Sequence, residues 1–297
     1  MPLFEGNSTE ITPMSQKIAF QGELGAYGHE ACVTARPDYD PLPCATFEAA
    51  IDAVRHGAAD LGMIAVENST YGRVADVHSL LPESGLHIVD ETFVRVHINL
   101  LGKQDASLGD IKEAHGHPVI LPQCGEFLRA NGITPRTSTD NARAAREVAT
   151  GDNRNIAALA SELAAEIYGL KVLARHIEDH ARNTTRFLIM ARDPDYTRRG
   201  TSGMMTSFVF RVRNIPAALY KAMGGFATNG VNMTKLESYM VGGEFTATQF
   251  YAEIEGHLDD ANVQLAMEEL GYFTDHLLVM GVYPAAARRH EKVASGA

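Results

Sequence analysis

Leu61-Gly62-Met63-Ile64-Ala65-Val66 is an unbroken apolar run, with Asp60 before it and Glu67-Asn68-Ser69 directly after. A run this short and continuous suits a strand covered on both faces, the central strand of a parallel α/β sheet. A half-solvated strand would alternate instead. In open α/β sheets, ligands bind beyond the carboxyl ends of the strands. Here that end presents Glu67, Asn68 and Ser69, which read either as a turn and helix cap or as groups reaching into a cleft.

The rest of the chain keeps the same rhythm. Residues 18–20 read as a buried strand, followed by a glycine-punctuated turn and a helix into Ala35. A strand near 40–43 precedes a helix beginning at Thr46, an N-cap with Glu48 in the first turn. Further strands are expected at 86–101, 118–121, 156–159, 171–177 and 185–191. Helices are expected from Ser138 or Thr139 to Thr150 and from Ser161 to Tyr168. This alternation implies an α/β architecture with mostly parallel sheets. Residues 86–101 would carry the chain into a second lobe and 171–191 would bring it back, crossing near 95 and 175. Glu67 and Thr185 would then lie on facing edges of an inter-lobe cleft.

Asp193-Pro194-Asp195-Tyr196 opens a linker at 194–205. After it the order changes to strand 206–212, helix 216–228, strands 232–240 and 244–255, helix 259–270 and strand 276–283. This βαββαβ order is that of a ferredoxin-like α+β sandwich.

Composition limits the functional classes. A length of 297 residues allows about two domains, and 45% hydrophobic with 21% charged residues is globular. A formal net charge of −11 argues against a nucleic-acid partner, which calls for a basic face. Three cysteines, Cys32, Cys44 and Cys124, without a CxxC pair fit a reducing cytoplasm. Residues 1–16 have neither a basic nor an apolar signal region and read as a flexible tail. No apolar stretch is long enough to cross a bilayer, so no membrane partner is expected. The 12 histidines include no HExxH or Cys/His array, so no metal is expected either.

Asn183-Thr184-Thr185-Arg186-Phe187 is the densest polar cluster. Two hydroxyls, an amide and a guanidinium stand at the mouth of a strand. An arginine can clamp a carboxylate with paired hydrogen bonds, and a threonine can hydrogen-bond a leaving oxygen. The bland alternative is a strand start with an edge charge. Gly22-x-x-Gly25-x-x-Gly28 lacks dinucleotide or Walker A spacing and reads most simply as a tight turn. Gln123 offers both a donor and an acceptor, whereas Cys124 has no nearby histidine and reads as a structural thiol. Ser138 and Thr139 could cap the following helix, and the amides of that helix could hold a carboxylate.

Taken in order, Phe20-Gln21-Gly22-x-x-Gly25-x-Tyr27, Glu67-Asn68-Ser69-Thr70, Gln123-Cys124, Ser138-Thr139 and Thr185-Arg186-Phe187 resemble the prephenate dehydratase signature. The likeness runs through residues 17–283. It implies a two-lobed, periplasmic-binding-protein-like catalytic domain at 17–193 and an ACT regulatory domain at 206–283. The Asn229–Ser238 corner is similar to that of ACT modules. The implied reaction is the cofactor-free conversion of prephenate to phenylpyruvate in phenylalanine synthesis. Thr185 and Glu67 would be catalytic, and Asn68, Ser69, Gln123, Ser138, Thr139, Asn183 and Arg186 would bind substrate. L-Phenylalanine is the implied effector at Ala218, Leu219, Asn232, Glu237 and Ser238, in a homodimer or homotetramer. Two positions depart from the family pattern: Ala217 stands where a glycine is usual, and Tyr239 where an arginine is. Arogenate dehydratase is a rival reading, and a non-catalytic amino-acid sensor is another. The absence of a dinucleotide loop counts against a NAD-dependent dehydrogenase.

Overall fold

The computed structural model describes residues 15–180, 182–200, 203–213, 215–240 and 247–290. The first lobe contains β1 (Lys17–Gln21), α1 (Tyr27–Ala35), β2 (Asp40–Cys44), α2 (Phe47–Arg55), β3 (Leu61–Asn68), β4 (Gly72–Arg73), α3 (Ala75–Leu80) and β5 (His87–Arg95). Thr46 caps α2 by accepting from the Ala49 amide at 3.1 Å. After residues 96–98 the second lobe follows: β6 (Asn99–Gly102), β7 (Glu113–Gly116), α4 (Gly125–Ala130), β8 (Thr134–Thr137), α5 (Asn141–Thr150), β9 (Ile156–Ala160), α6 (Glu162–Tyr168) and β10 (Lys171–Ala174). Residues 175–183 lead back to β11 (Thr184–Ala191) in the first lobe. The segment expected as one strand at 86–101 is therefore two strands in two sheets, joined by a crossing.

The C-terminal unit runs β12 (Met204–Val212), α7 (Ala218–Thr228), β13 (Met233–Met240), β14 (Ala247–Glu255), α8 (Ala261–Phe273) and β15 (Thr274–Pro284). Its sheet order, β13-β14-β12-β15, continues directly through β5-β11-β3-β1-β2. One ten-stranded sheet thus carries both the first lobe and the C-terminal unit, and the second lobe has its own sheet, β10-β6-β9-β7-β8.

Several expectations change. The large sheet is mixed: β3 is parallel to β1 but antiparallel to β11, and β11 is also antiparallel to β5. The cause is topological, because β11 returns from the second lobe and enters the sheet from the opposite end. No strand forms at 118–121, where a 3₁₀ turn spans Leu121–Cys124; the local strand is β7, just upstream. Pro118 and Pro122 have no amide hydrogen to give a ladder. The cap of α5 is Asp140, whose carboxylate accepts from the Arg143 amide, and not Ser138 or Thr139. The tail at 1–14 and part of the expected strand at 244–246 lie outside the described residues.

Two glycines bring the parts together. Gly25 has φ of 92°, and a Cβ there would sit 2.9 Å from Ala164 Cα of α6. The turn it makes docks the lobes, with Ser161 donating to the Gly25 carbonyl at 2.6 Å and Tyr168 to the Leu24 carbonyl at 2.7 Å. Gly281 in β15 faces Ile88 in β5 at the junction of the long sheet. A Cβ on Gly281 would lie 2.1 Å from the Ile88 carbonyl oxygen. Around this junction one core joins Ile88, Leu188 and Met190 to Met205, Val209, Tyr251, Met280 and Tyr283.

Overpacking a closed site typically costs about 1–3 kcal/mol. Gly281→Ala must move backbone against backbone, so it is expected at the upper end of that range. Equilibrium denaturation of the variant, with an unchanged midpoint as the contrary result, checks it.

Candidate active site

Between the lobes lies a cavity of about 630 Å³, lined by the ends of β1, β3 and β11 on one side and by His117, Val119, Gln123 and Asn141 on the other. Its floor is a chain of amides. Gln123 donates to the Val119 carbonyl at 2.8 Å and accepts from Asn183. Asn183, 1% exposed, accepts from Asn68 at 2.6 Å. The second hydrogen of the Asn68 amide goes to the Thr185 hydroxyl oxygen at 3.0 Å. The Asn68 carbonyl oxygen accepts from the amides of Thr70 and Tyr71 at 2.9 and 3.1 Å. Every polar group of Asn68 is therefore occupied, which fixes its rotamer. Thr185 receives a hydrogen bond, so its own proton is free to point into the cavity.

A β-bulge puts these groups where they are. Arg186 pairs with Glu67, but Phe187 pairs with Ala65, leaving Val66 as an extra residue in β3. Beyond the bulge the alternation of β3 is reset. Asn68 then falls on the cleft face beside Thr185, its register partner, and Glu67 falls on the opposite face beside Arg186. Period-two counting from Ala65 predicts the reverse.

Glu67 and Arg186 are consequently absent from the cavity wall. The Arg186 guanidinium, 3% exposed, is enclosed by Glu91 Oε2 at 2.8 Å, Glu67 Oε1 at 2.9 Å, Glu253 Oε1 at 2.8 Å and the Tyr283 hydroxyl at 3.1 Å. It has no hand left for a substrate carboxylate, so the expected clamp is corrected. Glu67 is held by Arg186 and Lys235. Burial alone would raise its pKa, but the two cations outweigh burial and lower it, so it is an ionised carboxylate and not a proton donor. Nor do Glu67 and Thr185 occupy facing edges, because β3 and β11 are neighbours in one sheet.

The other expected site residues divide. Asn68, Gln123, Asn183 and Thr185 meet in the cavity. Ser69 braces the β3–β11 end, donating to the Arg182 carbonyl at 2.7 Å and accepting from the Thr184 amide at 2.9 Å. Ser138 bonds the Asp140 carbonyl at 3.2 Å. Thr139 lines a second cavity of about 670 Å³ that shares Gln21 and Ala45 with the first. Burial pushes the Cys124 thiol well above its ordinary pKa, consistent with a structural role. Sequence reasoning assigned no role to Tyr71, His117 and Asn141, which also line the cleft, and Arg73, read from the sequence only as electrostatic support near Glu67, lines it too. Arg73 and His117 are its basic side chains and Glu48 is its carboxylate, among the described residues. Gln21 and Tyr27 of the opening motif line it as well; the Tyr27 hydroxyl donates to the His97 carbonyl at 2.9 Å, across the lobes.

Residues 18–195 match the family model described as prephenate dehydratase. The chain belongs to the prephenate dehydratase family. It is 47% identical over 274 residues to a bifunctional N-acyl-homoserine lactone acylase/prephenate dehydratase of Komagataeibacter europaeus, covering 92% of this chain and 98% of that protein. It is 34% identical to arogenate dehydratase/prephenate dehydratase 2 of Arabidopsis thaliana, covering 95% of this chain and 77% of that one. Among solved structures, the quorum-quenching acylase GqqA superposes with a TM-score of 0.87 at 47% identity, over 92% of this chain and all of that one. A prephenate dehydratase of Arthrobacter aurescens in complex with L-Phe superposes with a TM-score of 0.83 at 27% identity, over 91% and 90% of the two chains. No helix among the described residues is long and apolar enough to cross a membrane.

In the cluster around Arg186, burial pushes the Glu253 carboxyl up, but Arg186 and Arg289 outweigh it and hold it at about 2, below its ordinary 4.5. A carboxyl depressed by folding contributes stability that is present above its unfolded pKa and lost as the pH falls through the folded one. Stability is therefore expected to fall between pH 4.5 and about 2. The fall should be shallower in Glu253→Gln, as read from urea midpoints across that range; parallel curves for the two proteins would contradict it.

Proposed function

We propose that the inter-lobe cleft is the catalytic site and that Thr185 assists departure of the hydroxyl. As a member of its family the protein is a prephenate dehydratase, a carbon–oxygen lyase. In this reaction the electron pair of the ring–carboxylate bond moves into the ring as carbon dioxide leaves. The ring becomes aromatic, and the C4 hydroxyl departs with the electrons. No electron sink is needed. The site has to orient the dianion, shed water from the reacting carboxylate and hydrogen-bond the leaving oxygen.

The observation that carries this reading is the direction of the amide chain. Asn68 donates to the Thr185 oxygen, which leaves the hydroxyl proton as a free donor on the cleft floor. A threonine hydroxyl is a weak acid, so its role is to hydrogen-bond the developing hydroxide while water supplies the proton. Asn68, Asn183 and Gln123 hold Thr185 in place, and such preorganised donors lose no energy to reorientation during the reaction. Arg73 and His117 are the basic groups suited to the carboxylates. An uncharged floor under the reacting carboxylate favours its loss, because an ion pair there would stabilise the ground state.

Turnover of prephenate to phenylpyruvate by the purified protein is the test. Thr185→Ala is expected to lower kcat by about 10²-fold or more, the usual scale for removing one preorganised donor, with KM changed little. Full activity in Thr185→Ala would remove Thr185 from the mechanism, and no turnover by the unaltered protein would refute the site reading.

One observation favours arogenate as a second substrate. Glu48 is a carboxylate on the cleft wall, and it could pair with the ammonium that replaces the keto oxygen of prephenate. Comparing kcat/KM for the two substrates in the wild type and in Glu48→Gln separates the readings: selective loss of arogenate turnover supports the pairing.

The C-terminal unit is proposed as an ACT-type module that takes L-phenylalanine, by analogy with the Arthrobacter aurescens complex, in a cytoplasmic homo-oligomer. Ala218 and Leu219 open α7, Asn232 precedes β13, and Ser238 is exposed on β13. Glu237 turns the other way, 3.5 Å from Arg73 at the cleft. Ala217 has φ of 62°, a left-handed conformation that costs an L-residue about 1–2 kcal/mol. Ala217→Gly relieves that cost but frees the unfolded chain by about 0.4–1 kcal/mol. A net gain of about 0.5 kcal/mol is expected in denaturant unfolding, and a loss would contradict the left-handed assignment.

A further inference from the structure

We infer that Glu253, in the C-terminal unit and outside the cleft, is a positioning residue for the reaction, acting through Arg186 on Thr185. This rests on the reading of Thr185 given above. Thr185 and Arg186 are successive residues of β11, and Asn68 and Glu67 are their cross-strand partners in β3. One face of this two-strand ribbon carries the Asn68–Thr185 hydrogen bond in the cleft, and the other carries the Glu67–Arg186 ion pair. A shift in either pair is a shift in both, because a single peptide unit separates them on each strand.

The ion-paired face is completed from the C-terminal unit. Glu253 on β14 is 1% exposed and contacts Arg186 Nη1 at 2.8 Å, Arg289 Nη2 at 3.0 Å and the Tyr251 hydroxyl at 2.7 Å. Nη1 of Arg186 is shared between Glu253 and Glu67, so the position of the guanidinium is a balance between a strand of the catalytic lobe and a strand of the C-terminal unit. Around Arg186 the cluster brings together the carboxylates Glu67, Glu91 and Glu253 and the cations Lys235 and Arg289, and Lys235 also lies 3.9 Å from Glu237. Removing the charge at 253 leaves a buried excess of positive charge and gives Arg186 Nη1 wholly to Glu67. The ribbon must then re-settle. Misplacement by about an ångström far from the chemistry costs on the order of 10²-fold in rate.

The test compares wild type, Glu253→Gln, Thr185→Ala and the double variant for kcat and KM on prephenate. Asp260→Asn serves as the control, because Asp260 accepts from the His257 amide at 2.7 Å in the same unit but away from the cluster. Glu253→Gln is expected to lower kcat at least tenfold with KM within twofold. The double variant should be no slower than Thr185→Ala. The Asn68 side-chain amide resonances should move in Glu253→Gln and stay in Asp260→Asn. Unchanged kcat with unmoved resonances overturns the inference. So do losses that multiply in the double variant, or an equal kcat loss in Asp260→Asn at matched thermal stability. Wild-type rates in Thr185→Ala, or no turnover by any form, sink the reading of Thr185 or of the site instead; the Asn68 resonances still decide whether Glu253 reaches the cleft. If Glu253→Gln does not fold, Tyr251→Phe takes one hydrogen bond from Glu253 and keeps its charge. The same resonance shift with a two- to threefold kcat loss is then expected, and its absence overturns the inference.

Discussion

Burying the Arg186 guanidinium between two structural units is the constraint on which much of the molecule depends. An unpaired buried cation is prohibitively unfavourable, and breaking a buried pair from one side typically costs about 3–5 kcal/mol. Arg186 escapes that penalty only because Glu67 and Glu91 from the catalytic lobe and Glu253 from the C-terminal unit reach it together. Burial and the facing groups pull its pKa in opposite directions; Tyr283, Glu253 and Glu91 prevail, and it stays far above its ordinary value. The two units therefore cannot separate cleanly. Parting them would strand Glu253 without Arg186 and leave Arg186 with fewer carboxylates, besides exposing the apolar core that they share around Ile88 and Met280.

The cleft is built on the opposite principle. Its floor is neutral, and its order comes from saturation of hydrogen bonds rather than from charge. Asn68, Asn183 and Gln123 each spend an amide on the next, so Thr185 is aimed without an ion pair beside it. The separation of charged and neutral faces across the β3–β11 ribbon is the work of one inserted residue at Val66. Without the bulge, Glu67 would point into the cleft and Arg186 would lose a partner. The same residue types in the same order would then make a charged pocket, less suited to a reaction in which a carboxylate has to be poorly solvated.

This is also where reading the sequence succeeds and where it fails. The two-lobed α/β fold, the strand at 61–66, the Thr46 cap and the C-terminal βαββαβ order follow from local signals: apolar runs, caps and turns. Thr185, Asn68 and Asn183 were legible as polar residues at strand ends, and Gln123 as a donor and acceptor leading into a helix. The direction of Glu67 was not, because a bulge leaves no mark in composition and reverses the β3 side chains beyond it; that of Arg186 follows from alternation once Thr185 faces the cleft. Asp140 took the cap expected of Ser138 or Thr139, since three successive polar residues offer equivalent local chemistry and only the tertiary path selects one. Pairing of β11 against β3 was hidden too, because a strand's direction depends on the route of the chain through the second lobe. The partners of Arg186 at Glu253 and Tyr283 lie 67 and 97 residues away in sequence, beyond any local pattern.

The continuity of the long sheet gives these details a common mechanical meaning. β15 enters beside β5 at a junction so close that only glycine fits at position 281. β5 is the strand next to β11, and β11 carries Thr185. A rotation of the C-terminal unit is thus a change in the twist of the same sheet that supports the cleft floor. A flexible linker does not absorb it fully, because Arg198 of the connecting segment is itself paired to Asp90 in β5. The rim makes a third connection, from Glu237 on β13 to Arg73 at the cavity wall. Ligand binding in the C-terminal unit has only to favour one twist over another to be felt at Thr185, and its effect is bounded by its differential affinity for the two arrangements. In this architecture the C-terminal unit and the first lobe are one continuous sheet, pinned together at the buried guanidinium.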